Sequence, residues 1–134
     1  MEERACSYQT GMASEFLVMS MLFRLGLNPQ LTLGNNKRVD IFVPKEEEGE
    51  FITIDVKSVR AFNSIPVGNV KARKNHFVVV VIYKNKFEDV SFFPDFYVIP
   101  SGEVVAKAKI FPTGPTDLFR KDIEEFKDKW ELLK

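Results

Sequence analysis

Hydrophobic and polar positions alternate along two neighbouring segments of the chain, which is the pattern of a half-buried β-strand. In the segment 51–57 the alternate aliphatic residues share one face, so Asp55 and Lys57 project together from the other. In the segment 38–43 the same alternation places Asp40 on the less apolar side. Each segment therefore carries an acid where a strand favours Val or Ile, and such a placement usually marks a site.

A polar segment with proline and glycine near its ends, 44–50 (PKEEEGE), separates the two segments. This composition is typical of a hairpin loop. If the hairpin closes with Pro44 opposite Phe51, Asp40 falls opposite Asp55. A loop of this length does not fix the register by itself, so the pairing of the two aspartates is a prediction.

Two carboxylates held side by side repel each other, and one would stay protonated near neutral pH unless a cation lies between them. A divalent metal ion is the simplest such cation. Because the sequence offers carboxylate oxygens here without a cluster of histidine or cysteine, Mg²⁺ is the expected ion and Mn²⁺ the alternative. Lys57 would then neutralise charge developing on a phosphate, or orient and help to deprotonate an attacking water.

A helix is predicted upstream, over residues 10–27, which are rich in Met, Leu, Ala and Phe and end in stop signals. Glu15 is the only charged residue between Arg4 and Arg24, and its helical neighbours are apolar. A buried acid is costly unless it is paired or binds a cation. Taken alone, Glu15 is better explained by a reach to solvent or a bond to a nearby hydroxyl; together with the two aspartates, a role in the same site is the better interpretation.

The remaining pattern completes an α/β domain. The continuous apolar run 77–83 predicts a buried central strand, and the segment 95–99, bounded by prolines, predicts a further strand. From Thr116 onward, apolar residues that include Trp130 recur at helical spacing, which predicts a closing helix with its apolar stripe in the core. We expect one domain over 1–134, with a mixed sheet of roughly four or five strands flanked by helices.

A helix with one glutamate, then a strand aspartate, then D-x-K in the next strand resembles the PD-(D/E)xK nuclease superfamily. The resemblance rests on an ordered set of positions, which comprises Glu15, Val39-Asp40, 54–58 (IDVKS), 77–83, 94–101 and the closing amphipathic helix with Trp130. It covers nearly the whole chain. The compact single-domain members of the superfamily are the ones that the chain looks like.

The resemblance implies an α/β, restriction-endonuclease-like three-layer core and a Mg²⁺-dependent endonuclease that hydrolyses phosphodiester bonds in DNA. It implies that Asp40 and Asp55 hold the metal ion and that the backbone carbonyl of Val56 completes the inner sphere. Glu15 would act directly or through a water, and Lys57 would be the catalytic lysine.

The chain has no net charge, which argues against a protein that coats nucleic acid through general basicity. Its charges are unevenly placed, because no acidic residue occurs between Val56 and Phe87. We predict that four basic residues of this stretch bind nucleic-acid phosphates: Arg60, Lys71, Arg73 and Lys74. The alternative is a solvated loop with ordinary basic strand ends. The position of the stretch directly after the D-x-K motif favours the interpretation as a DNA-binding surface.

Two other functions stay open at this point. A nuclease-fold module could bind DNA or a protein partner without cutting, because fold does not fix function. A structural protein could instead pair Lys57 with Asp40 or Asp55 in a salt bridge. If the protein cuts duplex DNA, we expect a homodimer or a larger nuclease complex, since each site cleaves one strand.

Three further observations concern His76, Cys6 and the N-terminal helix. His76 directly precedes the predicted central strand, and a single histidine there is more often structural than catalytic. Cys6 is the only cysteine and cannot form an internal disulfide, which favours a reducing cytoplasm. The N-terminal apolar helix carries Glu15 and Arg24, so neither a signal peptide nor a membrane span is expected.

Overall fold

The structure, a computed structural model, describes residues 2–32, 39–61 and 64–134. Its helices are α1 (Glu2–Arg24) and α2 (Ser101–Lys107), with short 3-10 helices at Arg120–Asp122, Glu124–Phe126 and Trp130–Leu133. Its strands are β1 (Gln30–Leu31), β2 (Ile41–Pro44), β3 (Phe51–Val59), β4 (Ser64–Pro66), β5 (His76–Ile82), β6 (Asp95–Pro100), β7 (Lys109–Ile110) and β8 (Thr116–Phe119).

Within the described residues, five strands form a mixed sheet in the order β1-β2-β3-β5-β6. The central pair β3 and β5 is parallel, and the other pairs are antiparallel. Strand β5 is buried along almost its whole length, as its unbroken apolar run predicts, because helices and further strands cover both faces of the sheet. The predicted mixed α/β fold is confirmed.

The hairpin of β2 and β3 has the predicted register, with Pro44 opposite Phe51 and Ile41 opposite Ile54. Its loop is closed by a hydrogen bond from the N–H of Lys45 to the carbonyl of Glu50, at 2.9 Å. Continuing the same register by one residue places Asp40, which directly precedes β2, beside Asp55. The hairpin therefore brings the two aspartates to one place on the sheet.

Helix α1 begins earlier and ends three residues earlier than the predicted span 10–27. It ends in a Schellman motif, in which the N–H of Leu27 donates to the carbonyl of Leu22 and the N–H of Gly26 to that of Phe23. Gly26 has a φ of 84°, a conformation that costs a residue with a Cβ about 1–2 kcal/mol. This turn directs the chain back to the edge of the sheet.

The two faces of the sheet carry separate hydrophobic clusters. On one face Val18 and Leu22 of α1 pack with Ile54 of β3 and Val79 of β5. The other face is covered by α2 and by a second sheet of the described residues, in the order β4-β8-β7, and its cluster is built around Val80 of β5. The result is three layers. The pattern did not predict α2 or the second sheet.

The prediction of a long closing helix from Thr116 is wrong. Residues 116–119 form β8, which pairs with both β4 and β7, and the rest of the terminus is a series of 3-10 helices. Asp128 has a φ of 54°, which a continuous helix does not allow. The interpretation of the apolar residues as core packing is confirmed for Trp130 and Leu133, which are buried against Phe96 and its neighbours.

Among the helices of the described ranges, none is long and apolar enough to span a membrane.

Candidate functional site

The candidate site lies at the N-terminal end of β2, where β3 continues without β2 as its neighbour. Strand β2 begins at Ile41, whereas β3 continues beyond Asp55 to Val59. Beyond the end of β2, Asp40 is the hydrogen-bond partner of β3, because its Oδ2 accepts a hydrogen bond of 2.7 Å from the backbone N–H of Val56. Its own N–H donates to the carbonyl of Ile54, at 3.0 Å. The backbone and the carboxylate of Asp40 therefore bind β3 on either side of Asp55.

Asp55 and Lys57 project from the face of β3 that points away from α1. The alternate residues Ile54 and Val56 pack in the cluster beneath α1, so strand geometry turns Asp55 and Lys57 the other way. The side chain of Asp55 is 16% exposed, and Lys57 is half-buried. The predicted shared face of these two residues is thus present in the structure.

The hydrogen-bond partner of Lys57 is an amide side chain in a turn and not an acid. Its Nζ donates a hydrogen bond of 2.8 Å to Oδ1 of Asn69. In the part of the chain that the structure describes, no ion pair joins Lys57 to Asp40 or Asp55. The arrangement expected for a purely structural salt bridge is therefore absent from the described residues.

Glu15 is buried in α1, with 9% of its surface exposed. Its Oε2 lies 4.0 Å from the place that a Cβ would take at Gly11, so the carboxylate is turned back along the helix. Burial to this degree excludes the interpretation that Glu15 reaches into solvent. Because α1 covers the Ile54 face, Glu15 and the Asp55 side chain lie on opposite sides of the sheet.

The described donor set suits a hard cation in a site open to substrate. In residues 2–32, 39–61 and 64–134, no group of three or more His, Cys, Asp or Glu side chains could hold a metal ion. The remaining candidates are the carboxylates of Asp40 and Asp55 and the carbonyl of Val56. Mg²⁺ is often bound by one or two carboxylates together with waters and substrate phosphates. The residues present therefore fit Mg²⁺ or Mn²⁺ better than a metal that requires a closed protein cage.

His76 is the site residue that the sequence analysis set aside. It is 2% exposed. Its Nε2 lies 3.1 Å from Oδ2 of Asp55, and its Nδ1 lies 2.7 Å from Oγ1 of Thr53. The signal that would have found it is the register of β3 and β5, which pairs His76 with Thr53, and no local sequence pattern encodes that register.

The four predicted phosphate-binding residues do not form one cluster. Arg60 follows the C-terminal end of β3, where its Nε donates to Oγ1 of Thr10 at 2.6 Å and its guanidinium stacks 3.9 Å from the ring centroid of Phe87. Arg73 lies at the other end, with its Nη2 3.3 Å from Nε2 of His76. Arg60 is thus remote from the Asp55 face, whereas Arg73 lies beside it.

The other two predicted phosphate-binding residues, Lys71 and Lys74, are exposed on the segment that leads from β4 to β5. This segment is fastened at Arg73, whose backbone N–H donates to Oγ of Ser101 and whose carbonyl accepts from the same hydroxyl, both at 3.0 Å. Ser101 is 1% exposed and opens α2. The start of α2 therefore fixes the basic segment next to the site.

Polar side chains meet beneath the N-terminal half of α1. The hydroxyls of Ser14 and Tyr83 are 2.8 Å apart. Burial raises the pKa of the Tyr83 phenol, while the bond to Ser14 and the charge of Arg60 lower it. A cleft of about 230 Å³ opens beside these side chains and is lined by Ser7, Thr10, Ser58 and Arg60. It lies on the α1 side of β3, opposite to Asp55 and Lys57.

In comparisons with known proteins, no family model and no curated protein matches the chain. A solved structure of a bacterial homing endonuclease, I-Ssp6803I, is similar to it, with a TM-score of 0.60. The alignment covers 92% of this chain and 88% of that chain at 15% sequence identity. At this level of sequence identity, the structural similarity is evidence of a shared fold alone. The chain therefore has an α/β fold similar to that of this endonuclease, with a five-stranded mixed sheet flanked by helices in the described residues.

Proposed function

We propose that the protein is a metal-dependent endonuclease that hydrolyses phosphodiester bonds in DNA, with Mg²⁺ as the ion and Mn²⁺ as a substitute. The observation that carries the proposal is the bond between Asp40 and the N–H of Val56, which places a second carboxylate next to Asp55 at an open strand edge. The fold shared with a homing endonuclease supports it. Membership of the PD-(D/E)xK superfamily is part of the proposal.

Asp40 and Asp55 would hold the divalent ion, together with the carbonyl oxygen of Val56. When bound, such an ion supplies a nucleophile at neutral pH and stabilises charge on the phosphate. Glu15 would assist the site from the α1 side, through water, because it does not share the face of Asp55. All the proposed donors are oxygen atoms, the donors that hard cations prefer.

Lys57 is the proposed catalytic lysine. Its ammonium lies on the face of Asp55, and its partner Asn69 is neutral and exposed. A phosphate oxygen is a stronger acceptor than an amide oxygen for an ammonium, because the phosphate carries a negative charge and both partners of the bond are then ionised. Lys57 can therefore exchange Asn69 for a substrate phosphate, and there it stabilises developing negative charge or orients the attacking water.

The proposed substrate is DNA, bound first through Lys71, Arg73 and Lys74. These residues lie on the segment that precedes β5, and Arg73 lies beside the His76 side chain that contacts Asp55. Basic side chains on such a segment bind phosphates without reading base sequence. Arg60 would contact a more distant part of the DNA. A homodimer or a larger complex, in a reducing cytoplasm, is the proposed setting.

The test is cleavage of a supercoiled plasmid in Mg²⁺, Mn²⁺ or chelator, with wild type beside Asp55→Asn and Lys57→Gln. We expect nicking that requires metal, and a loss of rate of about 10²–10³-fold in Lys57→Gln. Lys121→Gln removes an exposed lysine outside the site and is the matched control. Metal-dependent nicking that persists unchanged in Asp55→Asn and Lys57→Gln would show that the activity belongs to a contaminant or to another site.

A second candidate is a nuclease-fold module that binds DNA or a protein partner without cutting. It is favoured by the contact of His76 with Asp55, which gives one of the two aspartates a protein partner. It is also favoured by the location of Glu15 on the other side of the sheet, which separates a third acid from them. In that case DNA binding is unchanged in Asp40→Ala and no metal gives cleavage. Under the proposed function the same variant loses cleavage.

A further inference from the structure

Two hydrogen bonds link the His76 side chain of β5 to Thr53 and to Asp55, the acid of the D-x-K motif. His76 opens β5 and lies opposite Thr53 in the parallel pairing with β3. Its side chain is 1% exposed, so both ring nitrogens need partners within the protein. Thr53 satisfies Nδ1 at 2.7 Å and Asp55 satisfies Nε2 at 3.1 Å.

The direction of the bond to Asp55 follows from the chemistry of its carboxylate. An ionised carboxylate only accepts hydrogen bonds, so Nε2 of His76 carries a hydrogen and donates it to Oδ2. The guanidinium of Arg73 lies 3.3 Å from the same nitrogen, and two donors do not bond to each other. Arg73 therefore contributes positive charge near Asp55, while the directed bond comes from His76.

The second oxygen of Asp55 is left for another ligand. In the described part of the chain, Oδ2 is the Asp55 side-chain oxygen that takes a hydrogen bond, and Oδ1 takes none. A bond to one oxygen from a ring that is itself fixed by Thr53 limits the rotation of the carboxylate. Oδ1 is thereby presented in one orientation.

We infer that His76 is a positioning residue, which holds Asp55 through Oδ2 so that Oδ1 is oriented for the divalent cation. The inference rests on the proposed function, because it assigns Asp55 to a metal ion. It adds a residue on β5 to a site otherwise built from β2 and β3. Residues that orient metal ligands in this way typically contribute 10–100-fold to metal affinity.

The experiment is a calorimetric Mn²⁺ titration in the absence of substrate, followed by the Mg²⁺ dependence of plasmid cleavage. His76→Leu removes the donor, and His76→Gln offers a side-chain N–H near the former Nε2. We expect affinity about 10–100-fold lower in His76→Leu, recovered in large part in His76→Gln. At saturating metal the cleavage rate of His76→Leu should approach that of wild type, which a general loss of structure would not allow.

If His76→Leu does not fold, Thr53→Val and His76→Gln carry the test. Thr53→Val, which frees the ring, must then lower Mn²⁺ affinity, and His76→Gln must retain it. Wild-type affinity in His76→Leu, or in Thr53→Val where that variant carries the test, overturns the inference while leaving the proposed function intact. A wild-type protein that neither binds Mn²⁺ nor cleaves overturns both.

Discussion

The carboxylate of Asp40 bonds to the backbone N–H of Val56 at a distance of 2.7 Å. Strand β2 has not yet begun at this point, so the side chain supplies the acceptor that a neighbouring strand would otherwise give. A buried or half-buried N–H without an acceptor costs free energy. Asp40 thus has a structural task as well as its proposed role at the metal ion.

The two roles of Asp40 can be separated by substitution. Asp40→Ala removes the acceptor, and we expect the free energy of unfolding to fall by about 1–2 kcal/mol. Asp40→Asn keeps an acceptor oxygen while removing the charge, so without metal it should lose less stability than Asp40→Ala. Chemical denaturation measures both. Equal destabilisation in the two variants would show that the loss does not come from the missing acceptor for the N–H of Val56.

Gly26→Ala tests the end of α1. With a φ of 84° at this position, a Cβ costs about 1–2 kcal/mol, although open space surrounds it. Gly102→Ala is the matched control, because Gly102 lies in α2, also with open space around it, and Ala is favoured over Gly in a helix. Thermal unfolding should show a loss in the first variant and no loss in the second. Equal effects would mean that the Schellman turn is not needed.

Ser101→Ala tests the fastening of the basic segment. The substitution leaves both the N–H and the carbonyl of Arg73 without their side-chain partner, so we expect a loss of about 1–2 kcal/mol of unfolding free energy. DNA affinity in a fluorescence-anisotropy titration should fall as well, because the basic segment loses its fixed position. Ser20→Ala, at an exposed serine of α1, should lower neither quantity. Full DNA affinity in Ser101→Ala would place the DNA-binding surface elsewhere.

The phenol of Tyr97 makes the free energy of unfolding depend on pH in the alkaline range. Its side chain is fully buried, and burial, together with the charges of Glu124 and Asp95, raises its pKa to about 12. A pKa raised on folding gives stability that is complete below pH ~10 and is lost as the pH rises towards 12. We therefore expect Tyr97→Phe to lose less stability than wild type in this window, by at most about 2.7 kcal/mol.

The control for this experiment is Tyr8→Phe, since Tyr8 is 68% exposed. Urea denaturation at a series of pH values between neutral and strongly alkaline gives the unfolding free energy of each variant. A decline in Tyr97→Phe as steep as that of wild type would contradict the assignment of the alkaline loss to Tyr97.

The sequence predicts the parts of the site that local patterns encode. Alternation fixes the shared face of Asp55 and Lys57, and the proline and glycine of the loop identify the hairpin whose register places Asp40 beside Asp55. The unbroken apolar run of β5 predicts its central position. Each of these features depends on residues near to one another in the chain.

The remainder depends on tertiary pairing. Residues 116–119 have a helical apolar pattern that is overridden, because pairing with β4 and β7 buries Leu118 fully. The contact of His76 with Asp55 depends on the register of a parallel pair joined by a long crossover. Glu15 is predicted correctly to lie on α1, but the face of the sheet that α1 covers is set by the whole hydrophobic cluster.

In the proposed site, Asp40 and Asp55 hold one divalent cation between them. The most direct measurement is the melting temperature of wild type, Asp40→Asn and Asp55→Asn during a Mg²⁺ and Mn²⁺ titration, with and without a short DNA duplex. A ligand of the folded state stabilises it by about 2.7 kcal/mol at ~100 times its Kd. We predict a metal-dependent rise of the melting temperature in wild type that both variants lose. No rise in wild type, even with DNA present, or an equal rise in all three proteins, would contradict it.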